Sequence, residues 1–387
     1  MAITVASEPQ TRSVESSLGA PKRPYHLISA DSHVNEPASL WADRVPKKLR
    51  DRAFRVERFD QGDAWIVEGV DNPMPFGLNA CAGQEPRLRQ AWVRFEDIRP
   101  GGFDPAARIT EIDRAGIDAE VLYPTPRLAQ AIYATSDPEL HLALVQAYND
   151  WIDEYASFDR SRFRALPILP NRGVDMALDE LARVGERPST GGILIGAYPG
   201  GTVQPQPDDD RAFAAISERG LTMNIHVTLN VTMPKAVTPM ALPAGNGSGR
   251  VVAAADQLTH LIFSGVFDRV PDLKVVFAEV DCGWVPYVKE QMDDGFLRYR
   301  FRYDLAHLPS QYIERHAYFT FVTDTYAIAN RHKIGVDKML WSSDYPHGNS
   351  NYPDAWYPLQ SALGEVSAAE REAIRSGNAL HLYGFDR

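Results

Sequence analysis

"HLISADSH" (residues 26–33) is a short apolar run that ends in two polar side chains, Asp31 and His33, set two positions apart. Alternate side chains of an extended strand share a face, so both project to the same side of any sheet that contains them. Seven further runs of this kind follow: "AEVLYPT" (119–125), "FRALPILP" (163–170), "GGILIGA" (191–197), "LTMNIHV" (221–227), "LKVVFAEV" (273–280), "AYFTFVTD" (317–324) and "KMLWSSD" (338–344). Near-continuous apolar character is what parallel strands show when both faces are covered, and most of these runs precede a segment of helical periodicity. Eight strands alternating with helices predict an α/β fold, a (β/α)8 TIM barrel.

The helical segments support that count. "SDPELHLALVQAYNDWIDEYASF" (136–158) begins with Ser136 as an expected N-cap and Pro138 in the first turn, and it carries Leu140, Leu144, Ala147 and Trp151 at helical spacing. "GVDMALDELARVGE" (173–186) and "VVAAADQLTHLIFSGVFDRV" (251–270) follow the third and fifth strands in the same way. The long interval of about residues 38–104 contains "AFRVERFDQGDAWIVEG" (53–69), which alternates like a strand. It predicts a small β-containing cap inserted between strands one and two. A Pro/Gly-rich loop, "TLNVTMPKAVTPMALPAGNGSG" (228–249), follows strand five. The expected organisation is therefore a polar arm at 1–25 and a single barrel domain at 26–387.

Composition narrows the function classes. The 387 residues are 44% hydrophobic, enough for a large core, and the two cysteines, Cys81 and Cys282, are too few for a disulfide framework. A reducing, cytoplasmic setting is the expectation. The N-terminal arm lacks an apolar signal segment, and no apolar run is long enough to span a bilayer, so no membrane association is expected. A net charge of −11 without a basic cluster disfavours nucleic acid. A small-molecule substrate remains as the expected partner.

Four strand ends carry possible metal ligands: Asp31 and His33 on strand one, His226 on strand five, Glu279 on strand six and Asp344 on strand eight. Assembling a site from strand termini around one mouth is how barrel enzymes work. At this point the chain resembles a known family, through "DSHVNEP" (31–37), "DRAGIDAEVLYPT" (113–125), "NIHV" (224–227), "IFSGVFDRVPDLKVVFAEVDCGWVPYV" (262–288), "LWSSDYPHG" (340–348) and "GNALHLYGF" (377–385). It is similar to amidohydrolase-related proteins of the aminocarboxymuconate-semialdehyde decarboxylase type, from about residue 26 onward. The resemblance implies that Asp31, His33, His226 and Asp344 bind a divalent metal, zinc or manganese. Characterised decarboxylases of this type have a histidine at the end of strand six; here Glu279 stands in its place, as a general base or a further ligand. Three carboxylates and two imidazoles form an anionic set that also suits two cations, as in iron or iron/manganese oxygenases.

The expected catalytic groups are thus Asp344, Glu279 and His347. His347 would donate a proton, bind a substrate carboxylate or orient Asp344. Trp284 and Tyr345 are expected to contact substrate, with Trp341 also flanking the ligands. His260 reads as a packing or interface residue, His316 as lying at the wrong end of the barrel, Cys282 as a buried thiol, and Arg114 as a structural ion pair. Hydrolysis or non-oxidative decarboxylation of a small carboxylated molecule is the main functional expectation. A dinuclear oxygenase is the alternative, and a non-catalytic subunit is the third. The chain is expected to form a homo-oligomer, or a hetero-oligomer with a related chain.

Overall fold

The computed structural model describes residues 24–226 and 246–385. The first 23 residues of the polar arm, and most of the loop after strand five, lie outside them. Eight parallel strands appear where the apolar runs stand: β1 (Ile28–His33), β5 (Ala119–Tyr123), β6 (Phe163–Ala165), β7 (Gly192–Leu194), β8 (Thr222–His226), β9 (Val275–Ala278), β10 (Ala317–Phe321) and β11 (Met339–Trp341). They form two parallel sheets, β1-β5-β6 and β11-β10-β9-β8-β7. Backbone bonds join the sheets at both seams. Between β6 and β7, Leu194 N donates to the Pro167 carbonyl at 2.9 Å and Gly191 N to that of Ala165 at 3.0 Å. Between β11 and β1, Asp344 N donates to the Asp31 carbonyl at 3.0 Å and His33 N to that of Tyr345 at 2.6 Å. The expected barrel is therefore closed, and its strands are buried throughout apart from the half-buried Tyr318.

The helices keep the expected places with shifted ends. The helix Pro138–Ser157 is capped by Asp137 and not by Ser136, because the Asp137 carboxylate accepts from Glu139 N and Leu140 N. The run expected as one helix over 251–270 is two, Asn246–Phe263 and Val266–Arg269. Gly265 separates them at φ 75°, a left-handed conformation that glycine adopts without steric cost. Between β1 and β5 lies an antiparallel sheet of β2 (Arg55–Phe59), β3 (Gly62–Ile66) and β4 (Met74–Pro75), the β-rich insertion read from the alternation at 53–69. The motif "GNALHLYGF" also gains a physical reason: Asn378 Nδ2 donates to the carbonyls of Val336 and Met339, both at 2.8 Å, which anchors the last helix to the start of β11.

Just beyond β1, Glu36 is 2% exposed. Its Oε1 accepts from Thr125 N at 3.0 Å, whereas Oε2 has no hydrogen-bond partner among the described residues. Burial drives its carboxyl up to about 7. A folded-state value raised above the unfolded one means that stability is full at low pH and falls as pH rises through the window from 4.5 to about 7. Glu36→Gln should therefore gain on the parent by up to about 3 kcal/mol between about pH 4.5 and about pH 8. Denaturant melts at the two pH values check this, and a pH-independent difference would refute it.

Candidate metal centre

The sequence places four strand ends at one mouth, and the fold brings their side chains together. Asp31 and His33 close β1, His226 closes β8, Glu279 follows β9, and Asp344 and His347 lie in the turn after β11; all six are buried. His33 Nε2 lies 3.4 Å from Asp31 Oδ1 and 3.4 Å from Asp344 Oδ1. Its other nitrogen, Nδ1, lies 2.8 Å from the Pro124 carbonyl oxygen. A carbonyl only accepts, so Nδ1 carries the hydrogen and Nε2 turns a lone pair toward the two carboxylates. Burial, with His347 and His226 adding to it, holds the His33 imidazole well below its ordinary value and therefore neutral.

Polar atoms thus converge around this lone pair. Asp31 Oδ1, His33 Nε2, Asp344 Oδ2 and His347 Nε2 are buried without hydrogen-bond partners among the described residues. Leaving such atoms unpaired is costly, and a cation removes the cost by accepting their lone pairs. Two overlapping trios, Asp31/His33/His226 and His33/Asp344/His347, each have donor atoms within 4.8 Å of one another. The mixed imidazole and carboxylate set suits a zinc or manganese ion.

The surrounding groups set the charges. Burial raises the Asp31 carboxyl to about 7, with Asp344 and Glu279 pushing the same way against His226. Burial and the Glu279 charge also raise Asp344. His226 is raised despite its burial, because Glu279 and the two aspartates favour its charged form. His347 stacks on His33 with centroids 3.9 Å apart and brings Nδ1 to 2.9 Å from Asp344 Oδ1, and this carboxylate raises it against burial. Thr320 Oγ1 accepts from Glu279 N at 2.8 Å and donates to Asp31 Oδ2 at 3.3 Å, linking the end of β9 to β1.

Glu279 is fully engaged. Its Oε2 lies 3.2 Å from His226 Nε2, and its Oε1 lies 3.0 Å from both Arg250 Nη2 and Asn349 Nδ2. Against burial, His226 and Arg250 hold its carboxyl down to about 2. Arg250, on the helix Asn246–Phe263, escaped the sequence reading. It carries no recognisable motif and meets Glu279 only through the fold. Asn349 escaped as well, although it lies two residues beyond His347.

The remaining candidates go to other places. Tyr345 is 1% exposed, with its hydroxyl on Glu111 and its ring under the Arg108 guanidinium. Trp284 is half-buried, with Nε1 donating to the Val280 and Asp281 carbonyls. Trp341 packs edge-on against Trp356. Cys282 is a buried free thiol, and His316 bonds the Leu273 carbonyl while stacking on Phe267. His260 Nε2 meets Gln204 at 3.1 Å. Arg114 is exposed; the buried arginine of its helix is Arg108, in an ion pair with Glu120.

The sequence and the fold both match known proteins. The amidohydrolase family profile covers residues 30–385. The curated 2-amino-3-carboxymuconate-6-semialdehyde decarboxylase of Dictyostelium discoideum is 28% identical over 301 residues, 76% of this chain and 80% of that one. An amidohydrolase from Mycobacterium avium subsp. paratuberculosis superposes with a TM-score of 0.72 at 23% identity, covering 93% of this chain and 99% of that one. A dihydroxybenzoic acid decarboxylase from a Polaromonas species, solved with manganese and 2-nitroresorcinol, gives 0.61 at 19% identity, covering 94% of this chain and 98% of that one. A profile match over nearly the whole chain places this protein in the amidohydrolase family.

Proposed function

We propose that this protein is a manganese-dependent carboxy-lyase that releases CO2 from a small carboxylated aromatic or dienoic acid without an oxidant. The observation that carries this reading is the lone pair of His33 Nε2 facing two carboxylate oxygens at 3.4 Å each. Asp31, His33, His226 and Asp344 would hold the ion, which supplies Lewis acidity that stabilises negative charge on the substrate's oxygens. His347 and Asp344 form the proton-transfer pair: as the bond to the carboxylate carbon breaks, its electron pair stays on the substrate carbon, and Asp344 delivers a proton there from His347. Glu279 orients His226, and Arg250 balances its charge. The decarboxylase activity of related proteins supports this choice over hydrolysis.

The case for a second cation weakens once Arg250 is counted. Its guanidinium, 3.0 Å from Glu279, supplies positive charge that a second metal would otherwise bring. We also propose a cytoplasmic location, supported by the two free buried cysteines. Among the described residues no helix is long and apolar enough to cross a membrane. The exposed Tyr287, Leu297, Tyr299, Phe301 and Tyr303, gathered on one helix and the turn after it, support a homo-oligomer.

Manganese-loaded protein should convert 2,6-dihydroxybenzoate or a related hydroxybenzoate to CO2 at the same rate with and without oxygen, read by carbon dioxide release. Asp344→Asn should lower kcat by about 100-fold or more. Oxygen uptake with a hydroxylated product would instead establish the oxygenase. Protein purified without added metal should carry one ion per chain by elemental analysis, and Asp31→Ala should lose it; two redox-active ions per chain would refute the mononuclear site. Light scattering should show a dimer or larger, reduced to monomer by Phe301→Glu.

A further inference from the structure

The helix Pro105–Arg114 packs outside the barrel, yet one of its side chains reaches the base of the metal centre. Arg108 is 0% exposed. Its Nε and Nη2 donate to Glu120 in β5 at 2.7 and 3.1 Å, which balances its charge. The other contacts all go to carbonyls: Nη1 to His33 at 2.9 Å and to Gly101 at 3.3 Å, and Nη2 to Tyr345 at 3.4 Å. The guanidinium also lies over the Tyr345 ring, 4.5 Å from its centroid. The planar fork of arginine makes such a multiple attachment, whereas an ammonium cannot.

The two outer carbonyls belong to the two halves of the site. His33 is itself a ligand candidate, and Tyr345 directly follows Asp344, whose backbone sits in the left-handed region at φ 51°. A non-glycine residue keeps that conformation only where its surroundings enforce it. Arg108 and the His33 N–H both hold the Tyr345 carbonyl, so the turn that aims Asp344 is pinned to the strand that carries His33. The space is tight: a Cβ on Gly101 would come within 3.1 Å of Arg108 Cα.

We propose that Arg108 is a positioning residue of the metal centre, fixing the distance between the ligands of β1 and Asp344 through the backbone of both. This rests on the metal-dependent reading above. Glu120 keeps the guanidinium ionised and aimed; the carbonyl contacts do the positioning.

The test uses full-length protein stripped of metal, titrated with manganese by calorimetry, with the metal-free melting midpoint measured alongside. Arg108→Lys keeps the charge beside Glu120 and loses the fork. The double variant Arg108→Met with Glu120→Leu removes the buried pair and avoids stranding a charge if the lysine variant folds poorly. Both should bind manganese about 10- to 100-fold more weakly than the parent. Leu181→Ala, a core truncation in the distant helix Val174–Val184, should lower the midpoint and leave manganese affinity unchanged. Parental affinity in both Arg108 variants, or an equal loss in Leu181→Ala, would overturn the proposal. Failure of the parent to bind manganese would instead overturn the metal-dependent function.

Discussion

Everything at the mouth of this barrel depends on how its first and last strands are joined. The amide of Asp344 bonds the carbonyl of Asp31, and the amide of His33 bonds that of Tyr345. Residues more than 300 positions apart in sequence thereby share a backbone ladder. Hydroxyls reinforce it, since Ser29 Oγ accepts from Ser343 N at 2.8 Å and Ser32 Oγ lies 3.0 Å from Ser343 Oγ. A barrel has no free edge, so the last turn cannot drift without opening the core. The placement of Asp31, His33 and Asp344 follows from closure, and closure follows from eight strands with two covered faces.

That chain of causes was legible in the sequence as far as periodicity reaches. The eight apolar runs gave the strands, and side-chain alternation put Asp31 beside His33 on one face. The same parity argument fails at Glu279 and Asp344 for a local reason. Glu279 and Asp344 have φ near 60° and 51°, so each lies just past its strand, where backbone rotation and not alternation sets direction. Their membership of the site could be read from position and family likeness, but their aim could not. Helix ends shifted for a similar reason: Asp137 outcompeted Ser136 as a cap because its carboxylate reaches two amides at once.

Charge was the part least visible in the sequence. Counting carboxylates along the chain overstates the negative potential of the centre, because Arg250 and Asn349 approach Glu279 from other elements. Pairings of this kind are set by tertiary packing and leave no spacing signature. The position after strand six carries a carboxylate, Glu279, with its own cation, Arg250.

The imidazole of His33 takes its orientation from the Pro124 carbonyl, not from another side chain. In many metal sites a carboxylate performs this task, and a single codon change there retunes the ligand. Here no point mutation can delete the acceptor, because every amino acid brings a carbonyl. The tautomer and the aim of the His33 imidazole are therefore inherited with the backbone.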